Sequence, residues 1–322
     1  MIVDDPLTLS FSNVFLRLRG ILPATPVALK LEGFCVTGSI KLKTARAMIA
    51  DVEARGVATP GVHTLVESSS GNLGVALAMV CRRRGYRFIC VTDPNVSPAN
   101  LRAMRAYGAH VVVIDQLDAN GGYLQKRIDY IEGLLASDPT HFWLNQYACP
   151  ANPVAHYDTT AREILAEFPR PDYVFCGTGS TGTMLRCARR FRQDSPTTRV
   201  VAVDPVGSVS FRAPAARRMI PGIGSSRRPE ILEDGVAHDV VHVSEPAAIS
   251  MCYEVAHDHG ILVGGSTGSV LAAVRSLADR IEPSATVIAL SPDFGEKYLD
   301  TIYDRDWVIR NYGFDPNRER RS

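Results

Sequence analysis

The sequence predicts an α/β fold, with parallel β-sheets covered by helices on both faces. Three observations predict it. Short apolar, β-branched runs recur along the chain. Stretches with helical spacing follow many of them. Three of the runs end in turns of Gly, Ser and Thr that open a helix. Strands alternating with helices give parallel sheets, because a parallel neighbour is reached only by a long crossover connection.

The runs at residues 63–66, 88–92, 110–114, 173–176, 200–203, 240–243 and 287–290 are the predicted strands. They concentrate residues that fit a pleated, buried surface. Residues 42–49, 75–83, 100–107, 123–135, 183–191 and 270–281 carry apolar positions at helical spacing. No repeat or low-complexity linker interrupts the pattern. Cys149-Pro-Ala-Asn-Pro153 is the strongest mid-chain breaker.

Composition excludes several functions. The chain has 322 residues, 46% of them apolar, enough for one large or two medium cores. A formal charge of +1 gives no electrostatic reason for a nucleic-acid or membrane-surface partner. No apolar run approaches the ~18 residues of a membrane span. The start, Met1-Ile-Val-Asp-Asp, lacks the basic and apolar regions of a secretion signal. A soluble, cytoplasmic protein is expected. The seven cysteines are scattered without a C-x-x-C pair, and Cys90 and Cys176 sit within apolar runs. Buried free thiols are expected, rather than disulfides or zinc ligands. No metal site is expected, and His257-Asp-His259 reads as a solvated helix face. The basic stretch 318–321 reads as a frayed tail.

The three turns carry the chemistry. They are Ser68-Ser-Ser-Gly-Asn-Leu-Gly74, Gly177-Thr-Gly-Ser-Thr-Gly-Thr183 and Gly264-Gly-Ser-Thr-Gly-Ser269. A helix start presents free N–H groups and a positive dipole end. Glycines admit a ligand close to the backbone, and hydroxyls add donors. Such turns bind phosphate or carboxylate. In parallel sheets they lie at the carboxyl ends of strands, where ligands bind. One such turn is weak evidence, because Ser and Thr also cap helices of no function. Three in one chain are stronger.

The middle turn has a rival reading. Gly177, Gly179 and Gly182 spell G-x-G-x-x-G after a strand. Asp204 ends the next strand roughly 20 residues on, where a ribose-binding acid belongs. A nicotinamide-dependent oxidoreductase is therefore an alternative. Against it, strands precede the fingerprint that normally opens the fold. The hydroxyls of Thr178, Ser180, Thr181 and Thr183 also suit a terminal monophosphate better than a pyrophosphate.

A fourth segment, Thr37-Gly-Ser-Ile-Lys41, opens the first predicted helix. Alone, its lysine reads as a surface residue. In order, the lysine motif, the Ser69-Ser-Gly-Asn72 loop, the Gly177–Thr183 turn and Gly264-Gly-Ser266 resemble the fold-type II pyridoxal-phosphate (PLP) enzymes. That family includes cysteine synthase and cystathionine β-synthase. The resemblance runs from about residue 8 to 305. It implies two doubly wound, tryptophan synthase β-like domains with PLP in the cleft between them. Residues 1–40 and 148–315 would form the larger domain, residues 41–147 the smaller, mobile one, and 316–322 a disordered tail.

By that resemblance Lys41 is the Schiff-base lysine and the base for the substrate α-proton. Asn72 meets the cofactor's phenolic oxygen. Thr178, Gly179, Ser180, Thr181 and Gly182 cradle its phosphate, and Ser266 meets its pyridine nitrogen. A neutral serine there favours β-elimination chemistry. Ser69, Ser70, Gly71 and Gln146 hold the substrate carboxylate. A homodimer acting on small amino acids is implied.

Residues 118–124, 145–147, 221–232, 264–269 and 298–303, with Trp307, resemble one branch of the family more closely. Its members join O-phospho-L-serine to L-glutamate on the way to 2,3-diaminopropionate, for siderophores or antibiotics. Such acidic substrates call for cationic and hydroxyl partners. Arg127, Tyr147 and Arg227 are the candidates. A cysteine synthase-like use of sulfide or another nucleophile is the alternative. Two departures from the family stand out: Leu42-Lys43 where Asp-Arg is usual, and Ser12-Asn-Val-Phe-Leu16 where Thr-Pro is usual.

Overall fold

A computed structural model describes residues 2–11, 13–118, 122–149 and 155–317. Residues 150–153 of the Cys149–Pro153 breaker and the basic stretch from 318 lie outside the described residues. The chain divides into two compact units: Met1–Leu9 with Lys41–Ala155, and Ser10–Ile40 with His156–Ser322.

The first unit is a four-stranded, all-parallel sheet. Its strands are β3 (Thr64–Ser68), β4 (Arg87–Thr92), β5 (His110–Val113) and β6 (His141–Trp143), after β1 (Phe15–Leu18) and β2 (Val27–Leu31) of the second unit. The order is β5-β4-β3-β6. Helices α1 (Lys41–Ala54), α2 (Asn72–Arg84), α3 (Pro98–Ala106) and α4 (Leu124–Ser137) flank it. All five residues of β3 are buried, as a strand covered on both faces requires. From β3 the sheet grows one way through β4 and β5, then returns to add β6 on the other side. The two strands that diverge at this switch point are β3 and β6, whose carboxyl ends are the expected ligand position. Residues 1–9 belong to this unit rather than to the larger one expected. Arg46 on α1 donates to the Leu7 carbonyl (3.1 Å), and Arg83 on α2 pairs with Asp5 (3.5 Å).

The second unit is a six-stranded sheet, order β1-β2-β10-β7-β8-β9. Its strands are β1 (Phe15–Leu18), β2 (Val27–Leu31), β7 (Tyr173–Gly177), β8 (Arg199–Pro205), β9 (Asp239–Val243) and β10 (Val287–Ser291). Only β1 is antiparallel to its neighbour. A π-helical turn, Tyr157–Ala161, leads into α5 (Arg162–Glu167). Then come α6 (Gly182–Asp194), α7 (Glu245–His259), α8 (Gly265–Ser276) and α9 (Arg305–Tyr312). Strand alternation sorts the core into two layers. Phe175, Val201, Val203 and Ala289 pack with Ile249, Val270 and Val274 of α7 and α8. Val174, Val200, Ala202 and Ile288 pack with Ile164, Met184 and Leu185 of α5 and α6. The switch point here lies between β7 and β10, and the Gly177 turn leaves the end of β7.

The seven predicted strands are β3, β4, β5, β7, β8, β9 and β10. Strands β1, β2 and β6 were not expected. Strand β2 buries Lys30 completely; its ammonium lies 3.2 Å from Glu32, 2.9 Å from Glu163 and 5.2 Å from the centre of the Phe15 ring. Helices α7 and α8 meet where Gly268 faces Ala248. A β-carbon at Gly268 would lie 2.2 Å from the Ala248 carbonyl oxygen and 2.5 Å from Cys252 Sγ. Gly268→Ala should therefore destabilise by about 1–3 kcal/mol, the cost of overpacking a dense core. Urea titration would show this, and an unchanged midpoint would mean the helices slide apart freely.

Candidate active site

Lys41 is the first residue of α1, half-buried, after a tightly braced turn. Gly38 has φ +64°, in the left-handed region. The Ile40 amide donates to the Pro292 carbonyl (2.8 Å), and Lys297 Nζ donates to the Thr37 carbonyl (3.0 Å). The Cys35 thiol donates to the Ser39 carbonyl (3.1 Å). Burial pushes the Lys297 ammonium's pKa down, against the opposing pull of Asp293.

The 68–72 loop leaves β3 and starts α2. The Ser69 amide continues the sheet by donating to Val91 O (3.0 Å). Ser69 Oγ accepts from the amides of Gly71 (3.3 Å) and Gly74 (3.0 Å), which fixes the loop's shape. Ser70, Gly71 and Asn72 are half-exposed. Gln146, just past β6, donates through Nε2 to Ser68 O (3.1 Å). The structure thus brings the asparagine loop and Gln146 together at the β3–β6 switch point. Tyr147 follows, also half-exposed.

In the second unit the Thr178 amide donates to Val203 O (2.9 Å), and its hydroxyl donates to Asp204 Oδ1 (2.7 Å). Both groups are fully buried, so Thr178 braces the turn from beneath. Thr181 has φ +65° and donates its hydroxyl to Ser180 O (2.7 Å). Among the described residues, the amides of Gly179, Thr181, Gly182 and Thr183 find no acceptor. The 221–226 segment seals the turn: Gly224 N donates to Thr178 O (2.6 Å). In the third turn, Thr267 Oγ1 donates to Ser291 Oγ (3.0 Å) and Ser269 Oγ to Gly265 O (3.1 Å). Ser266 is 5% exposed, yet its hydroxyl has no partner among the described residues.

Helix capping sets these turns apart from three of the other helices, although α4 and α5 also lack a side-chain cap. Helices α3, α7 and α9 are capped by the side chains of Ser97, Ser244 and Asp304. Helices α2, α6 and α8, which follow the three turns, have no side-chain cap. Ser69 already takes the Gly71 and Gly74 amides at α2, so the amides left for a ligand are chiefly those of Gly179, Thr181, Gly182 and Thr183 at α6. This donor set fits a phosphorylated, uncharged-edge heterocycle: unclaimed amides for a dianion, and a sheltered hydroxyl for a ring nitrogen.

Asp204 does not suit the rival reading. It is fully buried beneath Thr178, and burial raises its pKa. A ribose hydroxyl has no access to it. The two candidate arginines are both engaged elsewhere. Arg127 is buried, its Nη1 3.2 Å from Asp93, with Nε unpartnered among the described residues. Arg227 is exposed and pairs with Glu230 at 2.6 Å. The sequence reading missed Glu67, which is wholly buried and accepts from the Gln146 amide. A lone acid ending an otherwise apolar strand was the signal. Burial raises its pKa to about 7.

Comparison with known proteins identifies the family. The family model described as pyridoxal-phosphate dependent enzyme matches residues 15–293. The chain is 44% identical, over 282 residues, to an N-(2-amino-2-carboxyethyl)-L-glutamate synthase of Ralstonia nicotianae, covering 87% of this chain and 83% of that protein. It is similar in structure to O-ureido-L-serine synthase, with TM-score 0.86 and 34% identity over 94% of this chain and 96% of that one. It is also similar to the O-acetylserine-dependent cystathionine β-synthase of Helicobacter pylori, with TM-score 0.85 and 27% identity over 94% and 98% of the two chains.

Proposed function

The chain belongs to the pyridoxal-phosphate dependent enzymes, and from that premise we propose that it joins O-phospho-L-serine to L-glutamate. Phosphate leaves the serine β-carbon, the glutamate amine bonds to that carbon, and N-(2-amino-2-carboxyethyl)-L-glutamate is the product. The observation that carries the cofactor assignment is the run of unclaimed amides at Gly179, Thr181, Gly182 and Thr183, with Ser266 keeping a hydroxyl that has no partner among the described residues. Identity to the Ralstonia synthase supports the choice of substrates.

PLP, when bound, supplies the electron sink that stabilises negative charge at the substrate α-carbon. Lys41 would hold the cofactor, and its amine is the group placed to take the substrate α-proton. The amides of Gly179, Thr181 and Gly182, with Ser180, hold the phosphate, and Thr178 braces their turn from below. Asn72 and Ser266 orient the ring. Ser69 shapes the 68–72 loop, while Ser70, Gly71 and Gln146 hold the substrate carboxylate. For the acidic substrate groups Tyr147 fits best. Arg127 and Arg227 serve only by leaving Asp93 and Glu230. The reading extends to a cytoplasmic homodimer, in which residues 41–147 bind substrate.

The test is product identification. Protein loaded with PLP is given O-phospho-L-serine with glutamate, sulfide or other amino acids, and products are identified by mass. Glutamate should give the adduct with release of phosphate. If only sulfide is consumed, the acceptor assignment is wrong.

A further inference from the structure

We propose that Glu67 is a positioning residue for this reaction, clasping the 68–72 loop to Gln146 through its two carboxylate oxygens. The proposal rests on the assignment of that loop and Gln146 to the substrate carboxylate. The backbone ladder between β3 and β6 ends where the Leu144 amide donates to Val66 O (3.0 Å). Asn145 then adopts φ +50° and turns the chain out of the ladder. Beyond it, a reciprocal pair of side-chain bonds replaces backbone pairing. The Gln146 amide donates to Glu67 Oε2 (3.1 Å), and Gln146 Nε2 donates to Ser68 O (3.1 Å). Glu67 Oε1 takes the Ser68 amide at 2.8 Å. One carboxylate therefore fixes the spacing of two segments that face the ligand.

The charged and polar groups around Glu67 are Arg127 from α4, Trp143 from β6 and Cys90 from β4. Asp93 engages Arg127. Desolvation outweighs the amides and the arginine and raises the Glu67 pKa from 4.5 to about 7. The unfolded chain therefore releases this proton first, so folding stability falls as pH rises from 4.5 to about 7. A neutral side chain would fold at less cost. The ionised form has acceptor capacity for both amides, whereas protonation turns one oxygen into a donor.

The test compares wild type with Glu67→Gln, and with Glu67→Asp should the first misfold. L-Serine is the probe, because its carboxylate stays ionised from pH 5.5 to 8.5. Its Kd is read from the cofactor absorbance. At pH 8.5, Glu67→Gln should bind about tenfold more weakly, equivalent to about 1.4 kcal/mol. At pH 5.5, where wild-type Glu67 is itself protonated, the two should converge. Glu67→Asp should bind weakly and keep the pH dependence. Hydrogen exchange at the Ser68 and Gln146 amides, measured without serine, should quicken in Glu67→Gln. A Kd ratio that does not change with pH, or unchanged exchange at both amides, overturns the proposal. If wild type shows no absorbance response to serine, the substrate assignment has failed, and the exchange result still decides whether the clasp exists.

Discussion

Lys41→Ala should lower turnover at least about 10³-fold, within the range expected when a positioned proton-transfer group is lost. The fold should survive, because Lys41 starts a helix and alanine is the best helix former. The turn before it is held by Ile40, Thr37 and Ser39, none of which changes. PLP should still bind through the Gly179–Gly182 amides, more weakly. Steady-state rates and melting curves measure the two halves of this prediction. Borohydride reduction followed by peptide mapping should place the label on residue 41 in wild type. Undiminished turnover, or a label on Lys297, would move the catalytic role elsewhere.

The second large effect concerns Lys30. Its ammonium stands between Glu32 and Glu163 with no exposure to water. Lys30→Ala removes the cation and leaves two carboxylates in the second unit's interior. Breaking a buried ion pair on one side costs about 3–5 kcal/mol. Replacing all three, Lys30→Met with Glu32→Leu and Glu163→Leu, should cost far less, because no charge is left behind. Urea unfolding of the two variants gives the comparison. Equal losses would mean that packing, rather than charge, sets the value of Lys30.

The elements read correctly from sequence were those in which periodicity and burial agree. Strands such as Val287–Ser291 are buried throughout, with a single polar residue at the end, and Glu67 and Ser68 only extend the run that ends at Val66. Strands β1 and β2 were missed because Arg17 and Lys30 break their apolar character. Lys30 is made tolerable by Glu163, a partner from a distant helix that sequence spacing does not reveal. Strand β6 has three residues, His141–Trp143, too few to show alternation. The site was legible where one segment carries the whole signal, as at the lysine turn and the three glycine-hydroxyl turns. Arg127 was legible as a cation, but not as the partner of Asp93. Thr178 was read as a phosphate ligand, whereas its hydroxyl points to Asp204 beneath the turn. The His257–His259 stretch agrees with its reading. It forms the last turn of α7, and His257 is exposed.

The missing caps on α2, α6 and α8 reach beyond catalysis. A capping side chain contributes about 1 kcal/mol to a helix. On the proposed site, part of that contribution at these starts would come from the bound cofactor instead. Thermal endurance then becomes a property of chain and vitamin supply together. At a free concentration 100 times its dissociation constant, a ligand that binds only the folded state adds about 2.7 kcal/mol. A cell short of the cofactor would thus lose catalytic capacity and also hold a protein more exposed to unfolding and proteolysis, so that abundance follows nutrition without any dedicated regulator.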